Sequence, residues 1–168
     1  GYLKPSKCFW YMMSWVWVRG EPRLKSLRQL PRNELLIPQK SGVPEPIPLK
    51  EVTKSEQTLG MWTCPAGDFS THLSEVRKTG MTWASRLRNR PLPRADGWLG
   101  FRHALYRKMN YGFSALVVDP SSLEKTFQEV YRQLLSPLGV NRNIAKFFRM
   151  APCRFMGLAM PNPSIDML

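Results

Sequence analysis

The chain has 168 residues, enough for one domain or one small domain with an appendage, and a hydrophobic fraction of 43%, enough to form a core. Lysine and arginine number 25 against 12 aspartate and glutamate, a formal net charge of +13 that implies a polyanionic partner, nucleic acid first among them. Three widely spaced cysteines, Cys8, Cys64 and Cys153, form no CxxC pair, and His72 and His103 have no partner at zinc-ligand spacing, so neither a disulfide framework nor a structural zinc site is expected.

The chain opens on Gly1 rather than Met, as expected of a fragment or a processed product. Cys8 to Val18 is apolar except for Ser14. It is too short to span a bilayer and carries too many bulky aromatics for a signal core, so no membrane partner and no secretion are expected. Phe9, Tyr11, Met13, Trp15 and Trp17 alternate with Trp10, Met12, Ser14, Val16 and Val18, which predicts a strand buried on both faces. Arg19-Gly20-Glu21-Pro22 reads as a turn, and Arg23 to Leu27 as the returning strand. Glu34 to Pro38 and Pro46 to Leu49 bracket Gln39-Lys40-Ser41-Gly42 as a second hairpin. The prolines between Pro22 and Pro48 blunt this region into an edge or insertion.

From Asp68 the period changes. Phe69, Leu73, Val76, Gly80, Trp83 and Leu87 recur at steps of three and four, the stripe of an amphipathic helix, with Asp68 or Ser70 as its cap and Pro91 and Pro93 as its stop. Gly80 inside that stripe suggests a close helix contact. Ala95 to Met109 reads as a second helix, with Trp98, Phe101, Leu105 and Met109 in register. Ser121 to Leu138 reads as a third, opened by Asp119-Pro120 and carrying Leu123, Phe127, Val130, Tyr131, Leu134 and Leu138. Asn141 to Arg149 is short, with Ile144, Phe147 and Phe148 expected inside, and the remainder is irregular. Strands followed by helices predict an α+β fold: N-terminal antiparallel strands and hairpins over 1–65, a three- to four-helix bundle over 66–150, and a tail over 151–168.

No two carboxylates are adjacent, and no P-loop, GxGxxG or GxSxG occurs, so the sequence shows no self-contained active site. The cations are patterned instead. Arg77, Lys78, Arg86, Arg88, Arg90, Arg94, Arg102, Arg107 and Lys108 are opposed over that stretch only by Asp96. Arginine forks onto phosphate and interleaved aromatics stack on bases or sugars, so Arg77, Lys78 and the Arg86–Arg94 cluster are candidate phosphate contacts. A second group, Arg142, Lys146 and Arg149, has no acid between Glu129 and Asp166. Backbone amides at Asn141-Arg142-Asn143 are expected to be free for phosphate there.

Two segments in order resemble the part of retrotransposon reverse transcriptases that follows the catalytic strand. Lys4-Pro5-Ser6-Lys7-Cys8-Phe9 is similar to an Asn-x-x-Lys element ahead of a strand, with Lys4 in place of Asn. Thr58-Leu59-Gly60 is similar to the Tyr-Leu-Gly primer-grip hairpin, with Thr58 in place of Tyr. Retrotransposon-like proteins of protist and algal genomes share the look of Lys7 to Tyr11, of Thr58 to Gly67 and of Gly157 to Pro163. The resemblance implies the end of a palm, a primer grip and a helical thumb. Lys7 would lie near the incoming nucleotide's phosphates, and Leu59 and Gly60 at the primer end. The partner would be a template–primer of RNA or DNA, with the polymerase's N-terminal region as a second partner. Mg²⁺ would bind only in that separate palm, and this chain would hold no cofactor. RNA-directed DNA polymerisation would belong to the parent, in nucleus or cytoplasm. A basic RNA-binding module of organellar or ribosomal type, with no polymerase role, is the competing expectation.

Overall fold

The computed structural model describes residues 4, 7–31, 34–38, 42–90 and 92–166, and its architecture is α+β: short strand pairs precede a helical region. It divides into two compact units, Gly1–Thr58 with Trp62–Asp68, and Leu59–Met61 with Phe69–Leu168. The expected stop at Pro91 and the expected turn residues Gln39, Lys40 and Ser41 lie outside the described residues.

In the first unit the long aromatic strand breaks in two. β1 (Trp10–Tyr11) runs parallel to β6 (Leu49–Lys50), so one pair departs from the antiparallel expectation. β2 (Trp15–Val18) pairs antiparallel with β3 (Glu21–Leu24). The turn is only Arg19-Gly20, because both residues adopt positive φ (54° and 83°). That is the two-residue reversal whose twist suits a hairpin. Pro22 therefore lies within β3 opposite Trp17, as an edge strand allows. The expected burial on both faces does not occur: Trp15 is 54% and Trp17 71% exposed. In a two-stranded ribbon one face of the pleat finds no layer to cover it. β4 (Leu35–Ile37) and β5 (Glu45–Ile47) form the second expected hairpin. β7 (Glu56–Thr58) and β8 (Met61–Thr63) form a third, turning on Leu59 (φ 51°) and Gly60 (φ 86°).

The second unit holds the larger core. α1 (Ser70–Asn89) buries His72, Val76, Gly80, Ala84 and Leu87. Its N-cap position falls to Phe69, which has no side-chain acceptor, in place of the expected Asp68 or Ser70. α4 (Pro120–Leu135) is capped as its sequence indicates: the Asp119 carboxylate accepts the Ser122 N–H at 2.9 Å, and Pro120 occupies the first turn. Leu123, Phe127, Val130, Tyr131, Leu134 and Leu138 are all buried. α1 packs along α4 at Gly80, where an added Cβ would lie 2.7 Å from Val130 Cγ2.

The expected 95–109 helix is present as α2 (Arg94–Gly100), a π-helical turn (Phe101–Leu105) and α3 (Tyr106–Asn110). The wider turn lets Phe101, Leu105, Tyr106 and Met109 all face the core. Phe101, Phe127 and Tyr131 meet edge-to-face at centroid distances of 5.8 and 5.9 Å.

The short helix is α5 (Lys146–Met150), later than the 141–149 expectation because Asn141 makes its own turn. The Asn141 Oδ1 accepts the Asn143 N–H at 2.9 Å, so that amide is not free for phosphate. Phe147 and Phe148 point outward, against expectation, Phe147 with 73% exposure, while Ile144 packs on the core. Beyond α5 the chain folds back: the Met160 N–H donates to the Arg149 carbonyl at 2.8 Å, and the Tyr131 hydroxyl to the Pro161 carbonyl at 2.9 Å. A last short helix, α6 (Pro163–Asp166), lies against α4. Among the described residues no helix is long and apolar enough to cross a membrane.

Candidate nucleic-acid interface

The period of α1 sorts its cations into two rows. Residues four apart share a helix face, so Lys78, Thr82, Arg86 and Arg90 form one line, spanning about 18 Å at 1.5 Å per residue. Arg77 and Arg88 project from the other side, toward α4. Arg77 Nε pairs with Glu129 Oε2 at 2.7 Å, and Arg88 Nη2 donates to Gln133 Oε1 at 3.0 Å. Of the three arginines expected to converge, Arg86 and Arg90 line one groove, while Arg88 is bonded to Gln133.

The first row borders two grooves. One, of about 350 Å³, runs between α1 and the π-turn/α3 segment and is lined by Glu75, Lys78, Thr79, Thr82, Trp83, Arg86, Ala104, Leu105 and Lys108. The other, of about 560 Å³, continues past the end of α1 and is lined by Trp83, Arg86, Leu87, Asn89, Arg90 and Leu92. Trp83 and Arg86 line both, so the two grooves adjoin, and together they are called the furrow. Gly100 packs closely on Trp83: a Cβ there would stand 3.2 Å from the ring. Lys78, Arg86, Arg90 and Lys108 edge the furrow, and the one carboxylate in its lining, Glu75, sits at the end where it contacts Lys78 at 3.4 Å. Thr79 and Thr82 add hydroxyls. They were legible only as members of the i, i+4 rows through Lys78 and Trp83.

The remaining candidates are dispersed. Arg94 rests its stem near Gly139, where an added Cβ would be 3.5 Å from Arg94 Cδ. Arg142 is exposed, and Lys146 is bonded to the Glu124 carboxylate. Arg149 is only 7% exposed, and its Nε and Nη1 have no hydrogen-bond partner. Burial, together with the nearby Arg132 charge, pushes the Arg149 pKa down from its ordinary value. Arg102, another cation of this stretch, donates to the Leu158 carbonyl at 2.9 Å and lies over the Trp98 ring.

Lys7 belongs to the first unit, where it is exposed and its N–H donates to the Lys4 carbonyl at 2.9 Å. Leu59, 81% exposed, and Gly60 form an exposed hairpin tip. A separate groove of about 420 Å³ begins beside this tip at Met61 and is lined by Tyr106, Arg107, Asn110 and Tyr111 among others. Gly60 is needed there both for its φ and because a Cβ would approach the Tyr111 ring to 3.3 Å.

Among the described residues no group of three or more His, Cys, Asp or Glu side chains gathers to hold a metal ion. No family model matches this chain, and no curated protein or solved structure matches it.

Proposed function

We propose that this chain binds the phosphate backbone of nucleic acid along the α1 furrow, as the duplex-holding arm of a reverse-transcriptase-like polymerase. The observation that carries the binding is the row Lys78–Arg86–Arg90 with Lys108 across the groove, edged by four cations and one terminal carboxylate. B-DNA offers one phosphate per 3.4 Å of axis on each strand, so an 18 Å row passes about five phosphates of one strand. Such contacts position a duplex without reading its sequence. The polymerase context rests on the sequence resemblance at Lys4 to Phe9 and Thr58 to Gly60, and the exposed Leu59-Gly60 tip supports it. In this reading the protein works in nucleus or cytoplasm, and catalysis comes from a separate palm.

The test is fluorescence anisotropy with a blunt duplex and one bearing a recessed 3′ end. Arg86→Gln with Arg90→Gln is expected to weaken both by about tenfold, the scale of two lost charge-assisted contacts. Arg88→Gln, bonded to Gln133, is the control and is expected to change little. Equal losses from the control and the pair would overturn the furrow. Indifference to the recessed end would remove the polymerase context and leave a basic binding module.

A further inference from the structure

Two tryptophans stand on one face of the β2–β3 ribbon. Trp15 and Trp17 are separated by one residue, so their side chains emerge from the same side of the pleat, opposite Leu24 and Pro22 of the partner strand. More than half of each is open to solvent. Large aromatics side by side on a surface mark an interaction site. The ribbon and the segment just after it carry Arg19, Arg23, Lys25 and Arg28 against the single acid Glu21, which contacts Arg23 at 3.6 Å. The turn that reverses the ribbon fixes Arg19 at its tip, within two residues of Trp17.

We infer that this ribbon is a second binding site, a stacking platform for single-stranded nucleic acid, beyond the furrow reading and independent of it. Residues i and i+2 of a strand lie about 6.8 Å apart, twice the 3.4 Å rise of stacked bases. A duplex cannot follow the two rings in register; an unpaired strand, whose bases splay out, can lay one on each. Arg19 at the turn and Arg28 after the ribbon, both exposed, supply phosphate attraction that an apolar protein partner would not need, while Lys25, next after Leu24, alternates to the other face. The preference is for unpaired strands rather than for a sequence, since every base has a face to stack.

The experiment measures fluorescein-labelled oligothymidylate and a blunt duplex against the full chain and four variants: Trp15→Ala, Trp17→Ala, Trp17→Phe and the Arg86→Gln/Arg90→Gln pair. Each alanine variant is expected to weaken oligothymidylate binding by about tenfold, with duplex binding little changed. Trp17→Phe keeps a stacking ring and is expected to retain most of the affinity, which separates loss of stacking from misfolding. The arginine pair should show the reverse pattern, so failure of the furrow leaves this result readable. Unchanged oligothymidylate affinity in both alanine variants would overturn the platform. So would self-association of the wild type in sedimentation that the alanine variants abolish, because a second copy would then be the occupant of this face.

Discussion

Gly80 is the residue on which the helical unit closes. Helix propensity alone makes Gly80→Ala favourable by about 1 kcal/mol. The added methyl would meet both Val130 methyls, however, and overpacking a closed core costs about 1–3 kcal/mol. We expect a lower Tm for Gly80→Ala and partial recovery when Val130→Ala is combined with it; an increase in Tm for the single variant would mean that α1 and α4 slide apart cheaply. Arg149 poses the opposite case. Its buried Nε and Nη1 lack partners, and Arg132 repels it. Replacing an uncompensated buried cation by an apolar chain of similar length is neutral or stabilising, so Arg149→Met is expected to hold or raise Tm. A marked fall would show that the guanidinium is paid for by a contact it gains in solution. His72, buried beside Phe113 at 5.1 Å, has its pKa held below 6.5 by desolvation. The folded chain therefore resists a proton that the unfolded chain accepts. Its contribution is complete above pH of about 6.5 and is lost as pH falls below that value. In denaturant titrations His72→Gln should lose less stability than wild type between neutral pH and pH of about 5.

At the scale of elements, α4 shows how much the sequence determines locally. Asp119 caps it, accepting from the Ser122 amide and from the Ser121 and Ser122 hydroxyls, bonds that hold its pKa low. Asp119→Ala should lower Tm near neutral pH. That difference should shrink in acid, because a carboxylate with a depressed folded pKa gives stability present above its unfolded value and lost as pH falls through the folded one. An undiminished difference at low pH would assign the loss to something other than the ionised cap. The stripes of α1 and α4, the Gly80 contact and the strand-then-helix order were all legible, because each depends on spacing within one element. The strand expected over Phe9–Val18 is not legible from pattern alone, because alternation that is apolar on both sides fits a buried strand and an uncovered ribbon equally well; only pairing partners separate them. The π-turn at Phe101–Leu105 was invisible because the core-facing residues 101, 105 and 109 keep helical spacing either way, and only Tyr106 betrays the extra width. Hydrophobicity places Phe147 and Phe148 inside, yet both are exposed, because a helix as short as Lys146–Met150 buries only part of its circumference and here it is Arg149 that is enclosed. At the candidate site, the cations were visible in sequence, and their division into the Lys78–Arg86–Arg90 row and the Arg77/Arg88 side follows from helix geometry. The groove between α1 and the π-turn/α3 segment depends on the tertiary packing of two elements, which spacing within one helix does not reveal.

At the scale of the molecule, a net charge of +13 is distributed unequally in its uses. Arg77, Arg88, Arg102 and Lys146 are engaged within the helical unit, and Arg149 is enclosed by it. Lys78, Arg86, Arg90 and Lys108 face the furrow and Arg107 the groove beside Met61, and the ribbon of the other unit carries its own set beside two open indole rings. The furrow is the surface proposed for a duplex backbone, and the ribbon the one proposed for unpaired bases. The measurement that tests this account most directly is the salt dependence of duplex binding. Four phosphates neutralised by Lys78, Arg86, Arg90 and Lys108 give a slope of about −3.6 for log K against log salt, and Arg86→Gln with Arg90→Gln should make it shallower by about 1.8. A flat response in the wild type, or a slope that the double substitution leaves unchanged, would contradict it.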